Sequence, residues 1–137
     1  MEQYQSNSIE LKKVEVNENG NDVVFTIHGI DEGEASLQCE VDRNNKLFTA
    51  RIIAINELYQ NKGLGSLLFI TAINYSKQNN LHFVTDYGIS ELAEQLIKSL
   101  ISKGYVFIKN PNAVVKQLGA GKRILTLDGS PVYSLSQ

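Results

Sequence analysis

The sequence contains few of the residues on which disulfide or metal chemistry depends. Its 137 residues include one cysteine and two histidines. Cys39 has no second cysteine with which to form an intramolecular disulfide, and we expect it to be a small buried side chain rather than a nucleophile. His28 and His82 lie far from Cys39 and from each other, so the spacing typical of metal ligands is missing.

Neither charge sign dominates, and no long hydrophobic run is present. Thirteen Lys and Arg against 15 Asp and Glu give a formal net charge of −2, which does not favour a nucleic-acid partner. No run approaches the length that crosses a bilayer, and the first residues are polar, so we expect no membrane partner and a cytoplasmic location. A chain of this length is expected to form one domain, residues 1–137.

The stretch from Leu47 to Asn80 predicts a strand, a glycine turn and a helix. A buried strand is predicted from Leu47 to Asn56, where Ile52 to Ile55 form an apolar run, and the turn contains Gly63 and Gly65. Glycine lets backbone N–H groups approach a ligand at the positive end of a helix dipole, so this turn is suited to phosphate. The helix is indicated by residues spaced i, i+3, i+4, i+7, i+8 and i+11, which are Leu64, Leu67, Leu68, Thr71, Ala72 and Tyr75.

The two glycines alone leave open a purely structural role in a tight turn and in close helix packing. Two familiar phosphate motifs are excluded. A P-loop requires Lys and then Ser or Thr after its second glycine, where this chain has Ser66 and Leu67. A dinucleotide fingerprint requires a third glycine where Leu68 stands.

The residues from Leu47 to Lys109 resemble the acetyl-CoA motif of the GNAT superfamily of N-acetyltransferases. The chain has Ile53-Ala54-Ile55, then four residues, then Gln60-Asn61-Lys62-Gly63-Leu64-Gly65, which matches the family's Gln/Arg-x-x-Gly-x-Gly/Ala and its distance from the strand. Gly104-Tyr105 stands where the family usually has Gly-Phe. The resemblance implies an α+β fold with a GNAT-like mixed sheet, N-terminal antiparallel strands and two main helices packed on the sheet.

The resemblance also implies a function: transfer of an acyl group from acyl-CoA, acetyl-CoA above all, to an amine of a small molecule or protein. N–H groups from Asn61 to Ser66 would hold the pyrophosphate, and the thioester would lie where the strands ending at Asn56 and Asp86 splay apart. A backbone N–H of Ala54 or Ile55 would stabilise the oxyanion. The implied CoA-binding residues are Ile53, Ala54, Ile55, Gln60, Asn61, Lys62, Gly63, Leu64, Gly65 and Ser66.

The catalytic residues stay unassigned. His82 has a suitable unperturbed pKa, but strand alternation favours a solvent-facing side chain. Glu57 follows the central strand and is expected to be solvated, and His28 has no spacing that links it to the motif. Many GNAT members carry a Tyr four residues before the Gly of Gly-Phe, as donor to the leaving thiolate, and here that position is Leu100. The remaining candidate donors are water and three tyrosines, Tyr87, Tyr105 and Tyr133.

The N-terminal third predicts antiparallel strands. Ile9 to Val16 and Val23 to Ile30 read as two strands joined by an Asn-Gly hairpin, and a third strand lies near Ala35 to Asp42. The short turn leaves no room for the helices that GNAT enzymes usually place between their first two strands. We therefore expect an acceptor side that is open or is completed by a second copy in a homodimer.

After the helix, Leu81 to Asp86 predicts a strand parallel to the central one. Ser90 is expected to cap a second helix that ends at Gly104. The predicted apolar face of that helix has Leu92, Ala93, Leu96, Ile97, Leu100 and Ile101. Its predicted solvated face has Glu91, Glu94, Gln95, Lys98 and Ser102.

The tail is predicted in less detail. A strand begins at Tyr105, and residues 113–118 form a short helix or an irregular connection. Gly119 to Gly121 is expected to be a flexible connector, and residues 122–127 and 132–135 to be the two strands of a hairpin.

Two alternatives to an enzyme remain open. One is a GNAT-like module that binds CoA or another protein without turnover, because the acceptor wall and the usual proton donor are both missing. The other is a small α+β protein in which the glycine turn is purely structural.

Overall fold

A computed structural model of the chain describes residues 14–30, 33–55, 63–119 and 121–136. These residues form ten strands and two helices. In chain order they are β1 (Val14–Asn19), β2 (Asp22–Ile30), β3 (Gly33–Asp42), β4 (Leu47–Ile55), α1 (Leu64–Gln78), β5 (His82–Thr85), β6 (Gly88–Ser90), α2 (Glu91–Ser102), β7 (Phe107–Lys109), β8 (Val114–Leu118), β9 (Gly121–Leu125) and β10 (Tyr133–Leu135).

The main sheet has seven strands in the order β1-β2-β3-β4-β5-β10-β7. Strands β4 and β5 are parallel, and every other neighbouring pair in this sheet is antiparallel. A second, small antiparallel sheet has the order β6-β9-β8. The predicted fold class, a mixed α+β sheet with N-terminal antiparallel strands and two main helices, is confirmed.

The first two strands form the predicted tight hairpin. Asn19 pairs with Asp22 across a turn in which Gly20 has φ +64°, a conformation that glycine adopts without a steric penalty. No helix separates these strands. The next described turn, between β3 and β4, is closed by Asp42, whose carboxylate accepts hydrogen bonds from the backbone and side chain of Asn45 at 3.1 and 2.8 Å.

The two helices begin and end on residues that the sequence indicates. The Asn80 backbone turns left-handed at φ +57° after α1, and the Asn79 side-chain amide donates to the Tyr75 carbonyl at 2.8 Å. The Ser90 hydroxyl caps α2 by accepting from the Ala93 N–H at 3.1 Å. Gly104 follows α2 at φ +107°, which stops the helix.

The core lies between the helices and one face of the main sheet. Phe25, Phe48, Phe69 and Phe83 are almost fully buried, and their rings meet edge-on or tilted at centroid separations of 6.1 to 6.3 Å. Such pairs add about 0.5–1.5 kcal/mol each beyond the burial of their area. No helix among the described residues is long and apolar enough to cross a membrane.

The structure corrects three predictions for the tail. Residues 114–118 form strand β8, so the predicted short helix or irregular connection is wrong. Gly121, predicted in the flexible connector, is instead the first residue of β9 and pairs with Leu118. The hairpin predicted between residues 122–127 and 132–135 is also wrong, because β9 pairs with β6 and β8 whereas β10 lies between β5 and β7.

The predicted faces of α2 hold in part. Ala93, Ile97 and Leu100 are buried as expected, but Ile101 is 41% exposed. Glu94 was predicted on the solvated face and is instead half-buried against β7 and β10.

Candidate functional site

Strands β4 and β5 part in the middle of the sheet. They pair from Leu47 and His82 to Ala50 and Thr85, and the last contact is a 3.1 Å hydrogen bond from the Asp86 N–H to the Ala50 carbonyl. β4 then runs on to Ile55 beside β3 alone. The pairing therefore ends close to where the sequence resemblance predicts that the two strands diverge.

A β-bulge marks the point of divergence. Gln38 pairs with Ile52 and Cys39 with Ala50, so Arg51 is the extra residue on β4. A bulge increases the local twist and turns the strand out of its ladder. We call the place where β4 leaves β5 the fork.

Arg51 links the two arms of the fork. Its Nε lies 2.9 Å from Asp86 Oδ2, just beyond the end of β5, and its Nη1 lies 2.7 Å from Glu40 Oε1 on β3. Asp86 is held in turn, because its other carboxylate oxygen accepts from the Tyr87 N–H at 2.8 Å and its carbonyl accepts from the Val132 N–H at 3.2 Å. These bonds fix the opening between the strands.

A cavity of about 130 Å³ opens at the fork. We call it the fork pocket. Its wall is largely apolar, with polar groups from Thr85, Ser90 and two arginines. The lining residues used below are Ala50, Arg51, Ile53, Thr85, Ser90 and Arg123.

A second cavity of about 300 Å³, the helix groove, lies between the start of α1 and one face of α2. Ile53 of β4 and Ala93 of α2 line the fork pocket. Two or three residues further along, Ile55 of β4 and Leu96 of α2 line the helix groove. The cavities are therefore neighbours along β4 and α2. The helix groove is lined by Ile55, Gly63, Gly65, Ser66, Gln95, Leu96, Ser99 and Lys103, among others.

The N-terminus of α1 opens into the helix groove without a side-chain cap. Gly63 occupies the cap position at φ +85°, and the first turn contains no acidic residue. The Leu67 N–H donates to the Gly63 carbonyl at 3.0 Å, whereas the N–H groups of Leu64, Gly65 and Ser66 have no acceptor among the described residues. Unpaired donors at the positive end of a helix attract an anion.

Both glycines also have structural reasons to be glycine. Gly63 needs its positive φ, and a Cβ there would meet nothing within 4 Å. A Cβ on Gly65 would lie 2.6 Å from Leu96 Cδ1 and 3.1 Å from Ile55 Cδ1. Gly65 therefore allows α1 and α2 to pack closely at the wall of the helix groove.

This contact predicts the effect of Gly65→Ala. The new methyl group must displace Leu96, so we expect a loss of about 1–3 kcal/mol of unfolding free energy, measured by urea denaturation. In a Leu96→Ala background the same change should cost clearly less, because the clash is gone. Gly121→Ala is the control, since a Cβ at Gly121 meets nothing within 4 Å. Equal costs with and without Leu96 would contradict the packing explanation.

The predicted CoA-binding residues fall into three groups. Ile53 and Ile55 are half-buried on the two cavities, and Ala54 between them is exposed. Gly63, Gly65 and Ser66 line the helix groove, but the Leu64 side chain is 2% exposed and belongs to the core. Gln60, Asn61 and Lys62 lie outside the described residues.

The histidines are not near either cavity. His82 pairs with Leu47 at the start of β5, away from the fork, and its Nε2 lies 2.7 Å from the Leu135 carbonyl instead of facing solvent. His28 Nε2 lies 2.8 Å from Glu15 Oε1, on β1. Glu57 lies outside the described residues.

No tyrosine among the described residues lines the fork pocket or the helix groove. Leu100, at the usual Tyr position, is completely buried in the core. Tyr87 is 53% exposed, and Tyr105 lies next to a different cavity beside Lys103. The hydroxyl of Tyr133 donates to Glu94 Oε2 at 2.8 Å.

Glu94 forms a buried junction that sequence periodicity missed. Burial alone would raise the pKa of its carboxyl group, but hydrogen bonds from Lys109 at 3.0 Å and from Tyr133 lower that pKa overall. Burial, followed by the bond to Glu94, raises the pKa of Tyr133. The junction therefore holds α2, which forms one wall of both cavities, against β7 and β10.

The remaining nucleophile is inert. Cys39 is 2% exposed on β3, and burial strongly raises the pKa of its thiol. The prediction of a structural cysteine agrees with this environment. Within the part of the chain that the structure describes, no three His, Cys, Asp or Glu residues cluster as metal ligands would.

Several solved structures are similar to this chain. Nourseothricin acetyltransferase shares 14% identity, and the match covers 85% of this chain and 65% of that one at a TM-score of 0.58. A protein assigned as a streptothricin acetyltransferase from Bacillus anthracis, solved with acetyl coenzyme A, shares 12% identity over 87% and 64% at 0.55. Spermidine N-acetyltransferase from Vibrio cholerae, solved with CoA and spermine, shares 17% over 85% and 66% at 0.57. The chain has the GNAT acetyltransferase fold.

The similarity to these structures lies in the fold, because the sequence identities are only 12–17%. No protein-family model and no curated protein matches the sequence. The chain also spans less than two thirds of the first two structures, 65% and 64% of their lengths. The predicted resemblance to GNAT acetyltransferases is thus confirmed for the fold. The sequence motif that carries the resemblance includes the fork, α1 and β5.

Proposed function

We propose that the protein is an acyl-CoA-dependent N-acyltransferase that uses acetyl-CoA as the acyl donor and an amine as the acceptor. One observation carries the proposal: the fork between β4 and β5 and the uncapped N-terminus of α1 line two cavities that are neighbours along β4 and α2. A thioester with a long arm and a diphosphate needs both features within one site.

The residues present fit the donor. The N–H groups of Leu64, Gly65 and Ser66 offer hydrogen bonds to a diphosphate, and the helix dipole adds to them. Between Arg51 and Ala54, β4 has an edge that faces away from β3 and lies beyond the end of β5. An extended arm that contains amides would pair with such an edge as an added strand does. We assign Gln60, Asn61 and Lys62 to the same site on the sequence motif alone.

The chemistry requires an amine nitrogen to attack the thioester carbonyl carbon. The C–S bond then breaks, the thiolate leaves and the amine gives up a proton. In this chain the fork would orient the amine, and a backbone N–H near Ala54 would stabilise the oxyanion. We assign no general base, and we expect solvent at the open side of the fork pocket to take the proton.

The similar structures support this choice of substrates. Their names or bound molecules include acetyl coenzyme A, CoA, spermine and streptothricin. The described residues share one core, and we propose that residues 1–137 act as a single acyltransferase domain in the cytoplasm. The homodimer stays a prediction.

Calorimetric titration with acetyl-CoA, followed by a thiol-release assay with a panel of amines, tests the proposal. We expect saturable binding and release of CoA that depends on the amine. Absence of acetyl-CoA binding by a folded protein would refute it and would favour a purely structural glycine turn.

A second candidate, a GNAT-fold module that binds CoA without turnover, rests on a specific observation. Leu100 is sealed in the core and the Tyr133 hydroxyl is engaged by Glu94, so the described residues provide no tyrosine donor at the fork. Tight acetyl-CoA binding without CoA release on any amine would favour this module.

A further inference from the structure

The polar side chains of the fork pocket point to a particular kind of acceptor. Among the described residues, those that line the pocket include two arginines, Arg51 and Arg123, and no carboxylate or histidine. Arg51 is paired with two carboxylates, Glu40 and Asp86, at 2.7 and 2.9 Å. Of the two arginines, Arg123 is therefore the one without a carboxylate partner among the described residues.

Arg123 is an exposed residue that donates one hydrogen bond and is not neutralised by a described carboxylate. It lies on β9, opposite Ser90 of β6, and its Nη2 donates to the Gly88 carbonyl at 3.0 Å. The described residues contain no carboxylate within ion-pair distance of it. One carbonyl uses only part of the donor capacity of a guanidinium, and the rest suits a planar carboxylate.

We infer that the acceptor is a small amine that also carries a carboxylate, and that Arg123 binds this carboxylate while the amine faces the fork. The inference rests on the proposed function and deepens it. At about 130 Å³ the pocket is smaller than the 300 Å³ at which ordinary small-molecule sites begin, so it suits a short acceptor. A cationic polyamine would place its second ammonium group near an unpaired guanidinium, which costs affinity.

Matched acceptors test the inference. Thiol release is measured with β-alanine, which carries a carboxylate, with ethanolamine, which is neutral, with putrescine, which is cationic, and with phosphoethanolamine. We expect β-alanine to have the highest kcat/KM. A preference for putrescine or ethanolamine would overturn the inference while leaving the transferase proposal intact, and a preference for phosphoethanolamine would overturn the carboxylate assignment.

Variants at position 123 identify the residue responsible. Arg123→Met should raise the KM for β-alanine about 10- to 100-fold, because a hydrogen-bonded charge pair is lost. The KM for ethanolamine and the Kd for acetyl-CoA should stay within about twofold. Arg123→Lys should recover part of the loss. Lys122→Met removes the same charge from the neighbouring residue of β9, which does not line the pocket, and should have no effect.

Two results would overturn the role of Arg123: an equal loss for both acceptors, or no loss for β-alanine. A second readout does not need turnover. Binding of β-alanine to the protein saturated with CoA, followed by NMR chemical shifts, should weaken in Arg123→Met by the same factor. If the wild-type protein binds acetyl-CoA but neither turns over nor binds β-alanine, the acceptor inference fails. If it binds no acetyl-CoA, the proposed function fails first and takes the inference with it.

Discussion

Ser66→Asp should weaken the binding of acetyl-CoA about 100-fold or more while changing the free energy of unfolding by only about 1 kcal/mol. Ser66 lies in the first turn of α1 and lines the helix groove. A carboxylate there interacts favourably with the helix dipole, worth about 0.3–1 kcal/mol, which offsets part of the cost of placing it at a buried position. The same carboxylate repels a diphosphate that needs those N–H groups.

Ser66→Asp is informative because its carboxylate interacts favourably with the helix dipole but repels the diphosphate. Binding is measured by calorimetry and stability by urea denaturation of the same samples. Asn74→Asp introduces the same charge at an exposed position in the middle of the same helix, away from the groove, and should leave both quantities unchanged. Ser66→Ala removes only the hydroxyl and should weaken binding far less than Ser66→Asp. Normal binding by Ser66→Asp would show that α1 does not hold the diphosphate.

Local sequence signals identified most of the elements that build the site. The Asn-Gly turn of the first hairpin, the Ser90 cap and the stop at Gly104 each depend on residues that adjoin in sequence. The parallel pairing of β4 with β5 follows from the strand-helix-strand order, because the helix returns the chain to the end of the sheet at which β4 began. The sequence resemblance implies that the two strands diverge, but the bulge at Arg51 that marks the fork is visible only in coordinates, because it depends on the register with β3.

The tail was mispredicted because its pairing is long-range. β10 sits between β5 and β7, and Ser134 pairs with Val84, fifty residues earlier. β8 is exposed along its whole length, so it lacks the alternation that indicates a half-buried strand. Its strand identity comes from the ladder with β9.

The surroundings of two charged residues, Glu94 and Arg123, could not be predicted from the sequence. Glu94 has a helical position that predicts solvent, yet Tyr133 and Lys109 approach it from strands that the sequence could not place beside α2. Arg123 had no motif around it, and its position at the fork pocket follows from the pairing of β9 with β6. That no carboxylate of the described residues pairs with Arg123 also depends on this three-dimensional arrangement.

Substitutions at Leu100 test whether the position of the usual Tyr proton donor serves only the core. Leu100→Ala should lower the free energy of unfolding by about 2–5 kcal/mol, because the deleted atoms leave a cavity in a fully buried site. Leu100→Met keeps the volume and should cost less than about 1.5 kcal/mol. Ile101→Ala is the matched control: it removes an aliphatic side chain of the same size from the next residue, which is 41% exposed, and should cost clearly less. Urea denaturation measures all three.

The same variants separate packing from chemistry. If Leu100 serves only the core, kcat for amine-dependent CoA release by Leu100→Met should equal that of the wild type under conditions where both are folded. Equal stability losses at positions 100 and 101, or a fall in kcat with Leu100→Met despite full folding, would contradict this. A position committed to the core cannot deliver a proton to the fork pocket. Protonation of the leaving thiolate would then depend on water or on another side chain.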